Sequence, residues 1–340
     1  MTRIESMHDD QPDEGLLDRV RETLEGDGLV AIPTETVYGL AANAWSSAAV
    51  AKIFKAKGRP ENNPLIVHVA SVDRLSEAVA MPLSARIQKQ LDALLDLWPG
   101  PLSLVLPRSI KIPDCVTAGR ETVAVRIPSH PIAQAILQRC PFPIAAPSAN
   151  PSKYVSPTTA QHCADGLGDI VDLIVDGGPC DVGVESTIVS LCGEQPRLLR
   201  PGYITAEEIA DRLKVPVASL QMPASEGNAV LLAPGMMREH YCPRTPLTRV
   251  SELNQKMLCK RVGRIAFAPL SESEAAKYAV VEVLSADVNL QEVAKGLFAA
   301  FRRLDQQGLD YIVVDECAND GVGRAIMDRV MRAAARRDDR

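Results

Sequence analysis

Residues 29–40 read LVAIPTETVYGL, an apolar run followed at once by hydroxyl groups, a carboxylate and a tyrosine. Four apolar residues after Gly28 are typical of a buried strand, and α/β sheets often bind ligands just beyond the end of such a strand. Thr34 and Thr36 are therefore candidate ligand contacts. A polar strand-to-helix turn in which Thr36 caps a helix explains the same residues equally well.

Apolar runs and helical stretches alternate from this segment onward, which predicts an α/β fold. Residues 1–15 are polar and acidic, so we expect a flexible tail before a first domain over 16–214. Strands are expected at 29–32, 64–69, 102–106, 122–127, 143–146, 173–175, 187–191 and 197–199, and helices at 48–57, 84–97, 131–139 and 206–213.

Residues 215–247 are rich in proline, glycine and charge, which predicts a linker. A second, shorter α/β alternation follows over 248–340, so we expect two domains in this 340-residue chain. Its predicted strands are 264–268, 280–283 and 311–314, and its predicted helices are 290–305 and 325–336.

The composition argues against several classes of protein. With 37 Lys+Arg against 43 Asp+Glu the formal charge is -6, so the chain lacks the basic field of a stable duplex nucleic-acid binder. The eight cysteines form neither a CxxC motif nor a Cys/His cluster, so no metal site built from a protein cluster is expected. No apolar stretch has membrane-spanning length, and scattered thiols fit the cytoplasm.

A group of cations ends the predicted helix at 48–57, where residues 55–60 read KAKGRP. Lys57 and Arg59 could hold a triphosphate, because lysine supplies a mobile point charge and arginine a planar fork for phosphate oxygens. Taken alone, the segment is more typical of a solvated helix C-terminus, where cations suit the helix dipole.

His68 and Arg126 lie inside predicted strands that are otherwise apolar. A lone histidine in such a strand is more often a core residue than a ligand contact. Arg126 must meet a carboxylate, because an unpaired buried charge is costly. That carboxylate belongs either to the protein or to a ligand, and the residues favour neither.

Three more segments place small residues and hydrogen-bonding side chains beside predicted strands. They read AAPSANPS at 145–152, VESTI at 184–188 and LLRPG at 198–202. In isolation, each of them is better explained by turn chemistry than by ligand binding.

Together and in this order, the segments resemble the YrdC-type family of threonylcarbamoyl-adenylate synthases, in the longer form with an added C-terminal domain. The resemblance covers nearly the whole chain and implies a twisted open mixed sheet around a large concave cavity, followed by a smaller Rossmann-like α/β domain. It rests on PTETVYGL, IFKAKGRPENNPLIVHV, LWPGPLSLVL, TVAVRIPSHP, APSANPS, VESTIV, LLRPG, APGMMREHYCP and GRAIMDRVMRAA.

The resemblance also implies a reaction. L-threonine, bicarbonate or CO2, and ATP accompanied by Mg2+ would give threonylcarbamoyl-AMP and pyrophosphate. The adenylate would pass to a tRNA threonylcarbamoyl-transferase complex, which modifies N6 of the adenosine next to the anticodon. Two other classes stay open: an RNA-binding maturation factor, which the low aromatic content disfavours, and a carbamoyltransferase, which would use carbamoyl phosphate.

The family's functional residues can be carried over position by position. Arg126 becomes the partner of the threonine carboxylate, and Tyr241 in the linker is expected to close over the nucleotide. The implied catalytic pair is Lys57 and Arg59. The implied threonine contacts are Thr36, His68, Arg126, Ala146 and Ser186. The implied ATP contacts are Arg59, Asn63, Thr122, Ser148, Asn150, Ser156, Arg200 and Tyr241.

The chain departs from the family pattern near its C-terminus. The family usually carries Asn where this chain has Asp328, and Leu where it has Val330. A polar contact that the family makes from this helix is therefore in doubt, whereas the motifs of the first domain are intact.

Overall fold

The computed structural model describes residues 3–8, 13–220 and 239–335. These residues divide into two compact units, each with its own sheet. The first unit holds 3–8, 13–152, 157–180 and 185–220, and the second holds 153–156, 181–184 and 239–335. Most of the predicted linker lies outside the described residues, at 221–238.

The first unit is built on a ten-stranded mixed sheet, ordered β1-β8-β2-β3-β7-β4-β6-β5-β9-β10. The pairs β1–β8, β2–β8, β4–β6 and β5–β9 are parallel, and the others are antiparallel. The expected mixed sheet is confirmed. Its strands are β1 Arg3–Ser6, β2 Val30–Ile32, β3 Gly39–Asn43, β4 Ile66–His68, β5 Leu102–Pro107, β6 Thr122–Arg126, β7 Ile144–Ala145, β8 Leu173–Asp176, β9 Thr187–Ser190 and β10 Arg197–Arg200.

The helices of this unit begin and end where local chemistry favours it. In α2, Ser46 accepts a hydrogen bond from the Ala49 amide at the N-terminus, and Gly58 ends the helix with a φ of 59°. This left-handed cap places Arg59 directly after the last turn. The helices are α1 Glu14–Glu25, α2 Ser47–Lys57, α3 Ala85–Asp92, α4 Asp114–Thr117, α5 Pro131–Arg139, α6 Ala160–Leu167, α7 Ala206–Leu213 and α8 Val217–Leu220, with 3-10 turns at Val72–Glu77, Leu95–Leu97 and Gly168–Ile170.

Side chains along the central strands alternate between two environments. Val67, Val125 and Leu104 point into the main apolar core with helix residues such as Ile53. Their neighbours in sequence point to the opposite face, because successive strand residues alternate. That opposite face carries the polar groups described below.

One expectation for the first unit is wrong, and one of the two alternatives for the segment after β2 is excluded. Arg3–Ser6 is a strand paired in parallel with β8, and Met7 is buried, so these residues are not a flexible tail. Backbone hydrogen bonds at a sheet edge require no apolar side chains, and composition therefore missed them. Gly39–Asn43 is a strand antiparallel to β2, so the segment after β2 joins two strands and does not lead into a helix.

The second unit has four parallel strands in the order β11-β14-β12-β13, which confirms the expected Rossmann-like α/β arrangement. The strands are β11 Leu247–Arg249, β12 Val262–Ala266, β13 Val280–Val283 and β14 Tyr311–Val314, and the helices are α9 Gln255–Leu258, α10 Glu272–Ala275, α11 Leu290–Asp305 and α12 Gly321–Ala334, with a 3-10 turn at Val250–Glu252. None of the helices in the described ranges of either unit is long and apolar enough to cross a membrane.

Helix α11 binds both short segments of this unit, 153–156 and 181–184, that interrupt the first unit in sequence. Arg302 Nη2 donates to the Val155 carbonyl over 2.5 Å, and Lys295 forms an ion pair of 2.8 Å with Asp181. Gly183 lies against the helix so closely that an added Cβ would be 2.4 Å from the Lys295 Cα. Only glycine fits there, since its φ is also +77°.

We expect Gly183→Ala to destabilise the second unit by about 2–5 kcal/mol, the sum of a left-handed backbone penalty and an overpacking penalty. Gly308→Ala is the matched control, because its φ is +62° but its added Cβ would meet nothing closer than 3.6 Å. The control should cost only about 1–2 kcal/mol. Calorimetric unfolding measures both, and equal losses would show that the contact with α11 is unimportant.

Candidate active site

One row of paired residues crosses three neighbouring strands of the large sheet. Arg126 on β6 is the direct partner of His68 on β4 and of Ser103 on β5. Directly paired residues point to the same face, so these three side chains lie together on the face opposite the main core. All three are buried, with exposures of 4%, 4% and 0%.

Arg126 is held by protein acceptors at each of its nitrogens. Nε donates to the Gly100 carbonyl over 3.2 Å, and Nη1 donates to Thr36 Oγ1 over 2.8 Å. Nη2 forms an ion pair of 2.8 Å with Glu35 Oε1. The carboxylate that the burial of Arg126 requires is thus supplied by the protein itself.

Glu35 is a site residue that the sequence reasoning missed, although it lies inside the quoted PTETVYGL segment. Burial alone would raise the pKa of its carboxyl, but Arg126 and the hydrogen bond from the Ser129 amide bring that pKa below its ordinary value. Glu35 is therefore ionised at neutral pH. The signal that could have found it is a carboxylate between two threonines directly after a buried strand.

His68 is neutral in this site. Burial first, and then the charge of Arg126, lower its pKa to about 3. Its Nδ1 atom is buried and has no hydrogen-bond partner among the described residues. A neutral ring beside an arginine can still exchange hydrogen bonds with a ligand.

Ser186 joins Ser103 to a second buried arginine. The two hydroxyl oxygens are 2.8 Å apart, and Arg200 donates from Nη2 to Ser186 Oγ over 3.1 Å and from Nε to the Ser186 carbonyl over 3.0 Å. Arg200 is 4% exposed. These contacts link the start of β9 to the end of β10.

Lys57 fixes the loop that contains APSANPS. Its Nζ donates to the carbonyls of Ser148 and Asn150, both over 2.5 Å, and its own carbonyl accepts from the Ser152 amide over 2.7 Å. Burial, reinforced by the charge of Arg59, holds the pKa of Lys57 well below its ordinary value. The lysine is thus built into the fold and does not lie free at a solvated helix end.

Arg59 plays a similar part for the following turn. It donates from Nη2 to Asn63 Oδ1 over 2.6 Å and to the Pro64 carbonyl over 2.7 Å. The planar guanidinium therefore sets the path of the chain from α2 into β4.

The other predicted contacts of the first unit lie around the same strands. Thr122 is the first residue of β6 and lies four positions before Arg126. Because strand side chains alternate, both residues point to the same face of the sheet. Ala146 donates its amide to the Ile66 carbonyl over 3.0 Å, and an added Cβ on Gly39 would come within 3.1 Å of the Ala146 Cβ. Ser148 forms a backbone bridge with Gly39.

Two predicted ATP contacts, Ser156 and Tyr241, belong to the second unit. Arg302 donates to the Ser156 carbonyl over 3.4 Å. Tyr241 is fully buried, stacks on Phe298 with ring centroids 5.3 Å apart, and has the Arg329 guanidinium 5.4 Å from its centroid. Within its own unit, Tyr241 is a packed core side chain.

The departure at Asp328 has a local consequence. Its carboxylate lies 3.0 Å from Arg329 Nη1 and 2.9 Å from Arg332 Nε. Asn at this position could still accept a hydrogen bond but would lose the negative charge, and with it both ion pairs. Asp328 therefore compensates the charge of Arg329, which is fully buried.

Comparison with known proteins identifies the family. A family model described as "Telomere recombination" matches residues 22–202, and one described as "Threonylcarbamoyl-AMP synthase, C-terminal domain" matches residues 204–335. The chain is 41% identical over 319 residues to the threonylcarbamoyl-AMP synthase of Bacillus subtilis, covering 91% of this chain and 90% of the relative.

The chain belongs to the threonylcarbamoyl-AMP synthase family. It is also 41% identical over 321 residues to the synthase of Pyrococcus abyssi, with 91% of each chain covered. The crystal structure of P. abyssi Sua5 complexed with L-threonine superposes with a TM-score of 0.86 at 35% identity, covering 98% of both chains. The resemblance inferred from sequence is thus confirmed for the whole length of the two-domain form.

Within this member of the synthase family, most implied threonine contacts fall in one cluster. Arg126 is paired with His68 and Ser103 in the sheet and donates a hydrogen bond to Thr36. Ser103 in turn is hydrogen-bonded to Ser186. Lys57, Asn150 and Ser148 form a second connected set. The roles of these residues toward threonine and ATP remain predictions.

Stability should depend on pH through His68. In the unfolded chain the imidazole of His68 has its ordinary pKa of about 6.5. In the folded protein its pKa is about 3. The folded protein therefore loses stability as pH falls below about 6.5, by up to about 1.4 kcal/mol per pH unit.

We expect His68→Gln to abolish this contribution to the pH dependence of the unfolding free energy. Between pH 6.5 and pH 5.0 the wild type should lose about 1.6 kcal/mol more unfolding free energy than the variant. Urea titrations followed by tryptophan fluorescence test this, because both tryptophans, Trp45 and Trp98, lie in the first unit. Parallel pH profiles for the two proteins would contradict a buried neutral His68.

Proposed function

We propose that the chain forms threonylcarbamoyl-AMP and pyrophosphate from L-threonine, bicarbonate or CO2, and ATP. The observation that carries the proposal is the state of Arg126. Nε and Nη1 each use one N–H in a hydrogen bond to the protein. Nη2 forms an ion pair with Glu35 but has no hydrogen-bond partner among the described residues, so Nη1 and Nη2 both keep N–H groups for a ligand. Two adjacent N–H groups on a buried guanidinium match a carboxylate, which threonine provides.

The second buried set suits ATP. Lys57 and Arg59 lie two residues apart at the end of α2, and Lys57 holds the backbone of Ser148 and Asn150. Lysine has three N–H groups, and two of them are used by these carbonyls. A phosphate at the third would favour the charged form of Lys57, whose pKa is lowered by burial in the free protein.

The chemistry asks mainly for alignment and charge compensation. The threonine amine captures CO2 with loss of a proton, or bicarbonate with loss of water, to give N-carboxythreonine. One oxygen of the new carboxylate then attacks the α-phosphorus of ATP. The bond to pyrophosphate breaks as the new P–O bond forms. Lys57 and Arg59 offset the negative charge that develops on the phosphate oxygens.

The described residues contain no group of three or more His, Cys, Asp or Glu side chains that could hold a metal ion. Mg2+ would arrive with ATP and be bound through the phosphates and water.

The remaining assignments extend this proposal. Asn63, Thr122, Ser156, Arg200 and Tyr241 are proposed to contact ATP, and Ala146 is proposed to contact threonine. The adenylate passes to a separate tRNA threonylcarbamoyl-transferase complex. We place the enzyme in the cytoplasm, where its eight cysteines would stay reduced.

The direct test is incubation with ATP, magnesium, labelled bicarbonate and single amino acids. We expect pyrophosphate release that depends on threonine, with label in threonylcarbamoyl-AMP. Lys57→Met should lower the rate on the order of 100-fold, as does loss of one donor to a developing charge elsewhere. Lys55→Ala is the control, because Lys55 is exposed on the same helix, and its rate should be unchanged.

Two results would contradict the proposal. One is consumption of carbamoyl phosphate without stimulation by any amino acid, which would indicate a carbamoyltransferase. The other is pyrophosphate release that is equal with and without threonine.

A further inference from the structure

Glu35 has one carboxylate oxygen in use and one without a partner. Oε1 contacts Arg126 Nη2 over 2.8 Å and accepts from the Ser129 amide over 3.1 Å. Oε2 is buried and has no hydrogen-bond partner among the described residues. The whole residue is 7% exposed.

An acceptor in this state is costly. A buried ionised oxygen that accepts no hydrogen bond has lost its hydration without compensation. Neutralising the charge of Arg126 does not require a carboxylate whose second oxygen is buried without a donor. That oxygen could instead be hydrated or accept a hydrogen bond from a backbone amide. The unpaired Oε2 of Glu35 therefore indicates a hydrogen-bond donor that is supplied by a ligand.

The charges beside Glu35 indicate which donor fits. Arg126 presents positive charge and Glu35 negative charge at adjacent points of one buried face. An α-amino acid carries the complementary pair, a carboxylate and an ammonium separated by a single carbon atom. His68 adds no competing positive charge, because its pKa is lowered to about 3.

We propose that Glu35 Oε2 binds the α-amino group of the substrate and so selects amino acids against the corresponding hydroxy acids. The inference rests on the proposed function, in which Arg126 binds the carboxylate of the same molecule. Glu35 also orients the amine, since holding one N–H fixes the direction of the nitrogen that must be carboxylated.

The competing role for Glu35 is structural, with the carboxylate only holding Arg126 in place. Two ligands separate the roles: L-threonine, and the 2,3-dihydroxybutanoate of the same configuration, in which a hydroxyl replaces the amine. A positioning residue affects both ligands alike, because both carry the carboxylate that Arg126 would bind. A residue that binds the amino group affects threonine alone.

The experiment is calorimetric titration of wild type, Glu35→Gln and Thr36→Val with each ligand. We expect Glu35→Gln to weaken threonine about 10- to 100-fold, typical of a lost hydrogen bond to a charged group, and to leave the hydroxy acid within about threefold. Thr36→Val is the matched control, since it removes the neighbouring acceptor of Arg126 without removing charge. It should weaken both ligands by the same factor.

Equal weakening of both ligands in Glu35→Gln would overturn the inference and leave the proposed function standing. Failure of wild type to bind threonine would overturn both together. If Glu35→Gln does not fold, the wild type alone decides, because it must prefer threonine to the hydroxy acid at least about tenfold. A wild-type ratio near one refutes the assignment.

Discussion

The charge of Arg126, taken out of water in the middle of a strand, is the constraint around which the first unit is arranged. A buried guanidinium needs a carboxylate and several acceptors, and these come from two other parts of the chain: the consecutive residues Glu35 and Thr36, and Gly100. The segment between β2 and β3 cannot move without exposing or orphaning that charge. Its position is therefore set by electrostatics as much as by apolar packing.

Under the proposed function, Lys57 and Arg59 have a structural role and a catalytic role at once. Lys57 and Arg59 each donate to carbonyls of the segments on which they act, so the side chains that suit a phosphate also hold the backbone around it. Such double use preorganises a site, because little rearrangement is needed when charge develops. It also means that the effect of replacing Lys57 on activity includes the loss of loop geometry.

The sequence predicted most of the regular structure because the strands and helices of the core carry clear apolar periodicity. Helices Pro131–Arg139, Ala206–Leu213 and Leu290–Asp305 lie where periodicity placed them. Strands Arg3–Ser6 and Gly39–Asn43 were missed, since the first is polar and the second is rich in alanine and glycine. The sequence also indicated that Arg126 needs a carboxylate partner. It could not distinguish a protein carboxylate from that of a ligand, because Glu35 and Arg126 are distant along the chain.

The segments Lys153–Ser156 and Asp181–Val184 belong to the second unit although the chain on either side of each belongs to the first. The second unit is therefore discontinuous in sequence, and no single cut in the gene separates the two. Deleting everything after residue 220 would leave Val155 and Gly183 without the helix on which they pack. If the second unit were transferred to another gene, the segments 153–156 and 181–184 would have to change with it. These two segments and helix α11 should therefore be inherited together.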